Sequence, residues 1–246
     1  MKALILAAGY ATRLYPLTKE YPKPLLTVGT RPIINYILDK LQDIEDIEET
    51  IVVTNNKFIH QFREWKESLH CSWPVTLVDD LTKSHKDRRG AIGDIFFVIE
   101  KINLKDGLLV IGGDNLFDGD LREFLSFADE NKSSPLIGAY HLADIREAKN
   151  YGVIELDKTN RIIDFTEKPK RPKSRLIAMC LYYFPKSTLG LIGEYLKRKA
   201  DKHDATGFYI DWLRKKIDVY GFVFYGRWYD IGDHKFYNEA KGVFSY

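Results

Sequence analysis

Through the first half of the chain, short unbroken apolar runs alternate with segments whose apolar residues recur every three or four positions. The runs KALILA (2–7), TIVVTN (50–55), VTLVDD (75–80) and LLVIGGDN (108–115) predict strands. Between them, RPIINYILDKL (31–41), KFIHQFREWKESL (57–69) and AIGDIFFVIEKI (91–102) predict helices. The first of these places Ile33, Ile34, Ile37, Leu38 and Leu41 on one face, with Pro32 at its start. Strands that are aliphatic along their whole length are covered on both faces, as in a parallel sheet flanked by helices. The predicted fold is therefore α/β, doubly wound and mostly parallel (Rossmann-like), in which ligands bind beyond the carboxyl ends of the strands.

The pattern changes after residue 130. PLIGAYH (135–141), YGVIELD (151–157), RIIDFTEK (161–168) and LIAMCLYYF (176–184) are extended runs with little helix between them. KSTLGLIGEYLKRK (186–199) and YIDWLRKK (209–216) then predict helices, and VYGFVFYG (219–226) a closing strand. No linker-like composition, repeat or low-complexity tract separates the halves. One domain over 1–246 is expected, with a mixed β extension in residues 131–246.

Composition narrows the function classes. The chain has 37 basic and 35 acidic residues, a formal charge of +2, so no global field favours nucleic acid or an anionic membrane. Its two cysteines, Cys71 and Cys180, form no metal-ligand pattern and suit a reducing, cytoplasmic setting. The apolar start is too short for a secretory leader, and no run is long enough to span a bilayer.

The chemistry concentrates first in LAAGYATRLYPLTKEYPKPL (6–25). A glycine after a first strand is a common turn, and it is also a means of bringing backbone N–H groups to phosphate oxygens. A phosphate-loop NTPase needs Gly-Lys-Ser/Thr at the loop's end, which is absent. A dinucleotide fold needs three glycines and an acid about twenty residues on. Gly9 stands alone, prolines 16, 22 and 24 delay any helix, and Gly29-Thr30-Arg31 occupies the acid's place. The cations fit a third reading: Arg13 offers a bidentate fork for phosphate, and Lys23 is a point charge stiffened by Pro22 and Pro24.

This stretch resembles the signature loop of the sugar-phosphate nucleotidyltransferases (nucleotide-sugar pyrophosphorylases), with their Gly-x-Gly-Thr/Ser-Arg-Leu, Pro-Leu-Thr and Pro-Lys-Pro elements. Ala11 stands where the family usually has its second glycine, and alanine resists positive φ. The resemblance runs from Met1 to about Ala240 with its motifs in order. It implies Leu6, Ala8, Gly9, Arg13, Lys23 and Gly90 as the nucleotide-binding set, with Arg13 and Lys23 catalytic. A bound triphosphate calls for Mg²⁺ held by carboxylates. GGDN (112–115) resembles the family's Gly-Asp-Asn metal motif and selects Asp114, leaving Asp118 and Asp120 as turn residues. The Trp-x-Asp-x-Gly element in GRWYDIGDH (226–234) selects Asp230, with Asp233 read as a helix N-cap.

Tyr151-Gly152-Val153 and Glu167-Lys168-Pro169 match the family's sugar-1-phosphate elements, so Tyr151, Gly152, Glu167 and Lys168 are expected to seat the acceptor. The next strand departs from the family: Ala178-Met179-Cys180 replaces a small-residue run, so a smaller or reshaped pocket is expected. The charged segment DDLTKSHKDRRGAIGD (79–94) reads as a mainly solvated loop. The implied activity is NMP transfer from an NTP (dTTP or UTP) to a sugar-1-phosphate (glucose-1-phosphate), with no nucleic-acid or membrane partner and with homo-oligomerisation open. Two alternatives stand beside it: a cytidylyltransferase for another phospho-alcohol such as phosphocholine or inositol phosphate, and an inactive nucleotide-sugar-sensing module. The chain's length leads to no expectation of the appended repeat-built domain that some relatives carry.

Overall fold

The computed structural model describes residues 1–69, 73–131, 133–198 and 205–243; Cys71 lies outside them. In chain order the strands and helices are β1 (Lys2–Leu6), β2 (Thr27–Val28), β3 (Arg31–Pro32), α1 (Ile33–Gln42), β4 (Glu49–Thr54), α2 (Ile59–Glu67) and β5 (Val75–Asp79). They continue with α3 (Ala91–Lys101), β6 (Leu108–Gly112), β7 (Asn115–Phe117), α4 (Leu121–Glu130), β8 (Leu136–His141), β9 (Gly152–Leu156) and β10 (Ile162–Glu167). The last are β11 (Leu176–Phe184), α5 (Leu189–Lys197), α6 (Thr206–Leu213), β12 (Tyr220–Phe224), β13 (Trp228–Asp230) and α7 (His234–Val243).

The first-half strands form the expected parallel sheet, in the order β6-β1-β4-β5. Side chains alternate across β1, so Ala3 and Ile5 pack toward α1, α2 and α4, while Leu4 packs toward α3, α5 and α6. That is the doubly wound layout. β11 runs antiparallel to β6 and forks the sheet: Leu181–Phe184 pair with β6, Ile177 pairs with β9, and β8 runs along the opposite edge. β6 and β9 thus lie end to end along β11, and the gap between them opens at residues 178–180. β10 extends the sheet beyond β9, and β12 pairs parallel to β8.

Several elements differ from the periodicity reading. Arg31 and Pro32 pair with Thr27 and Val28 as a short hairpin, so α1 begins at Ile33. β6 stops at Gly112, and Asn115–Phe117 form a separate strand with Trp228–Asp230. A whole helix, α4, lies in a stretch left unassigned by the strand and helix patterns, although Leu121, Phe124, Leu125 and Ala128 carry the helical spacing. Asp120, expected to be a turn residue, is the N-cap of α4 and accepts from the Arg122 amide at 2.8 Å. α6 starts at Thr206, three residues before the predicted segment. Among the described residues no helix is long and apolar enough to cross a membrane.

A third apolar cluster ties the chain's ends together. Leu14, Leu26, Val28 and Ile33 from the N-terminal segment pack with Leu116, Ile231, Tyr237 and Ala240. The Tyr237 hydroxyl donates to the Thr27 carbonyl at 2.9 Å, and His234 Nε2 lies 3.0 Å from the Tyr15 carbonyl. Helix α7 is thereby fixed against the loop that follows β1.

Candidate active site

The loop after β1 is anchored by its carbonyls. Leu6 accepts from the Gly113 amide at 2.9 Å, and Ala8 accepts from the side chain of fully buried Asn55 at 2.9 Å. Gly9 follows with open space where a Cβ would stand. The left-handed residue is Ala11, at φ 46° and ψ 43°. Its carbonyl accepts from the Leu14 amide at 2.9 Å and the Thr18 hydroxyl at 2.7 Å, bonds that offset a conformational cost of about 1–2 kcal/mol. The alanine substitution thus leaves a glycine-like backbone in place. A 3₁₀ turn at Thr12–Leu14 buries Leu14 and leaves Arg13 exposed.

A second 3₁₀ turn, Lys23–Leu25, presents Lys23 to the end of β6. Its ammonium pairs with the Asp114 carboxylate and donates to the Ile231 carbonyl at 2.9 Å. Asp114 and Asp230 reach this point from opposite ends of the chain, because Asp230 pairs with Asn115 across β7 and β13 and the Ile231 amide donates to the Asp114 carbonyl. Asn115 Nδ2 donates to Asp114 Oδ1 at 2.9 Å, while its own oxygen accepts from the Trp228 indole at 2.9 Å. Burial opposes the charge on Asp114, but Lys23 and Asn115 outweigh it and hold the carboxyl below its usual range. Asp230 goes the other way: burial and the neighbouring Asp114 push it up to about 6, against the pull of Lys23, Arg13 and Lys168. An all-oxygen pair of carboxylates suits a hard divalent ion such as Mg²⁺, whose remaining ligands are usually water and phosphate. Among the described residues no group of three or more His, Cys, Asp or Glu side chains could hold a metal.

Beside the carboxylates lies a cavity of about 500 Å³, at the fork in the sheet. Arg13, Tyr151, Gly152, Glu167, Lys168 and Asp230 all line it. Gly152 and Glu167 are register partners across β9 and β10, and the Lys168 amide donates to the Tyr151 carbonyl at 3.0 Å. Glu167 is partly buried, which raises its pKa against the pull of Lys168. Cys180 also lines the cavity, with its Cβ 3.0 Å from where a Cβ on Gly112 would lie. Burial, with Asp114 and Asp230 nearby, pushes its thiol pKa up, so the side chain stays neutral.

The motif reading missed parts of this wall. Gly207, on the first turn of α6, is needed by a close approach: a Cβ there would fall 1.9 Å from Glu167 Oε2. Trp228 packs against Tyr151 at 5.3 Å and Tyr140 at 5.4 Å between ring centroids. The Tyr182 hydroxyl is 2.7 Å from that of Thr206. A glycine inside an apolar, helical stretch was the available signal for Gly207; nothing local in the sequence marks Thr206 or Tyr182.

Gly90, at φ 74°, stands before α3 at the edge of the charged 79–94 segment. That segment is largely satisfied by its own groups. Arg89 donates to the Asp80 carbonyl at 2.8 Å and lies over the Phe97 ring, and Asp87 accepts from the Ser84 amide at 2.8 Å. Buried Asp80 accepts from the Thr82 amide and hydroxyl, and Thr82 meets the Tyr10 hydroxyl at 3.2 Å. These bonds link the segment to the loop after β1.

Comparison with known proteins agrees in sequence and in fold. The family model described as Nucleotidyl transferase matches residues 2–243. The chain is 31% identical over 233 residues to the Bifunctional protein GlmU of Methanocaldococcus jannaschii, covering 94% of this chain and 51% of that protein. It is 28% identical over 255 residues to the glucose-1-phosphate adenylyltransferase of Mycoplasma mobile, covering 98% of this chain and 66% of that one. The chain spans about half the length of the archaeal relatives it matches. The crystal structure of a UDP-glucose pyrophosphorylase complexed with UDP-glucose superposes with a TM-score of 0.83 at 21% identity, covering 99% of this chain and 97% of that chain. At that identity the likeness speaks to the fold.

Proposed function

The chain belongs to the nucleotidyl transferase family, and we propose that it transfers a nucleoside monophosphate from an NTP to a sugar-1-phosphate, releasing pyrophosphate. One observation carries the reading: Arg13, Lys23, Asp114 and Asp230 gather at one end of the sheet, beside a cavity that also holds Gly152, Glu167 and Lys168. The first substrates to try are glucose-1-phosphate with dTTP or UTP. One similar protein is named for glucose-1-phosphate with an adenylyl group and another for mannose-1-phosphate with a guanyl group, so the panel below varies both sugar and base.

In this reading an oxygen of the acceptor phosphate attacks the α-phosphorus in line. A new P–O bond forms, the bond to the β-phosphate bridge breaks, and pyrophosphate leaves with the electron pair. No covalent enzyme intermediate is needed, so catalysis is positioning and charge stabilisation. The backbone from Leu6 through Ala8 and Gly9, with Gly90, faces the nucleotide. Arg13 stabilises the leaving pyrophosphate, and Lys23 the α-phosphate and the acceptor phosphate. Tyr151 walls the acceptor cavity, Glu167 accepts from sugar hydroxyls, and Lys168 meets the acceptor phosphate. Asp114 and Asp230 would hold Mg²⁺, which when bound neutralises phosphate charge and polarises the reacting centre. A cytoplasmic setting, where both substrates are met, goes with this assignment.

A panel of NTPs against sugar-1-phosphates with Mg²⁺, read by pyrophosphate release, tests the proposal. Release with at least one hexose-1-phosphate is expected. Release with phosphocholine or inositol phosphate alone would replace the sugar by another phospho-alcohol, and no release with any pair would refute the reaction.

A further inference from the structure

The segment from Lys168 to Arg175 reads KPKRPKSR: five cations within eight consecutive residues and no acid among them. For a chain whose formal charge is only +2, this is a strong local concentration. The segment joins β10 to β11, the two strands that supply Phe165, Glu167, Ala178, Cys180 and Tyr182 to the cavity, and it starts at Lys168, itself a lining residue. Lys170, Arg171, Lys173 and Arg175 are exposed. Lys168 turns through φ 44°, and Pro169 and Pro172 restrict the backbone beyond it.

The charges on this segment are poorly balanced by the protein. Lys168 lies 3.7 Å from Glu167, and Arg175 donates to the Ala143 carbonyl at 3.4 Å. Among the described residues no acid side chain lies within ion-pair distance of Lys170, Arg171 or Lys173. Lys149, on the 3₁₀ segment before β9, adds a further cation to the cavity lining. One phosphate, met by Lys168, does not account for the rest.

We propose that residues 170–175, next along the chain from the lining residue Lys168, form an anion subsite beside the acceptor cavity, and that the acceptor carries a second anionic group, a phosphate or a carboxylate, besides its anomeric phosphate. The inference rests on the proposed acceptor site. Three exposed cations on a proline-stiffened segment that continues from the lining residue Lys168 gain charge-assisted hydrogen bonds to such a group and raise its capture rate at low salt.

The test is calorimetric binding of glucose-1-phosphate, glucose 1,6-bisphosphate and glucuronic acid 1-phosphate to the full chain, at low and at physiological salt. Wild-type protein should bind one or both doubly anionic ligands at least about tenfold more tightly than glucose-1-phosphate, with the advantage shrinking as salt rises. Which ligand gains identifies the group as phosphate or carboxylate. In the Lys170→Gln/Arg171→Gln/Lys173→Gln variant the advantage should fall to within about twofold, and Arg171→Gln alone should give an intermediate value. The ratio between ligands is the readout, so a general loss of affinity does not imitate the effect. Equal affinities in the wild type, no binding of any ligand, or a preference that survives the triple substitution would overturn the subsite. Pyrophosphate release is measured in parallel: its absence with the binding preference intact refutes the proposed reaction and leaves the subsite standing.

Discussion

The two sides of the site are built in different ways. On the proposed nucleotide side, the loop after β1 is a single stretch whose backbone is held by Asn55, Thr18 and the third apolar cluster, so its side chains are presented from a fixed frame. On the acceptor side, the wall is gathered from five separated segments, around residues 150, 166, 180, 206 and 230, and depends on close fits such as Glu167 against Gly207. The first side is one stretch of sequence braced from elsewhere in the chain, and the second is assembled from residues far apart in sequence. Lys23, Asp114 and Asp230 join the two.

That contrast orders the expected effects of substitution. Asp114→Asn strikes the junction, removing both a proposed metal ligand and the partner of Lys23; turnover should fall on the order of a thousandfold with circular dichroism unchanged. Activity within a few-fold of wild type would separate Asp114 from the chemistry. Leu14→Ala tests the nucleotide side alone: it empties a fully buried position in the third cluster and should cost about 3 kcal/mol in urea unfolding. Its NTP KM should rise while the acceptor KM holds; the reverse pattern would contradict the division. Gly207→Ala tests the acceptor side, since the new methyl must displace Glu167. About a tenfold loss in kcat/KM for the sugar phosphate is expected, with the NTP KM unchanged. A combined Gly207→Ala/Glu167→Gln variant should be little worse than Glu167→Gln alone. The smallest effect belongs to Ala11→Gly, which relieves a left-handed alanine and should raise unfolding stability by about 0.5–1 kcal/mol without altering turnover. A drop in stability would mean that the greater freedom of glycine in the unfolded chain outweighs the strain relieved at residue 11.

The same contrast explains what was legible in the sequence. Arg13, Lys23 and the glycine loop stand close together in a recognisable order, and Asp114 ends an apolar strand, so local pattern exposes them. Gly207 and Trp228 gain their meaning only from Glu167 and Asn115, 40 or more residues away, and no periodicity records such a meeting. The boundaries of α1 and β6 shifted for a similar reason. Pairing of Arg31 with Val28 and of Asn115 with Asp230 overrode the local apolar pattern. α4 is a different case: its spacing and its Asp120 cap are present in the sequence, but an acid soon after a strand fits a turn equally well and the local pattern does not separate the two.

The fork at β11 has a consequence for how such a molecule can diversify. The β9–β10 hairpin meets β11 at Ile177 opposite Val153, while the parallel strands meet it further along, at Leu181 to Phe184. A change of length or charge in the hairpin therefore meets the parallel sheet only through β11, whose Leu181–Phe184 stretch keeps its own register with β6. One strand serves as the hinge pin between two separately framed parts.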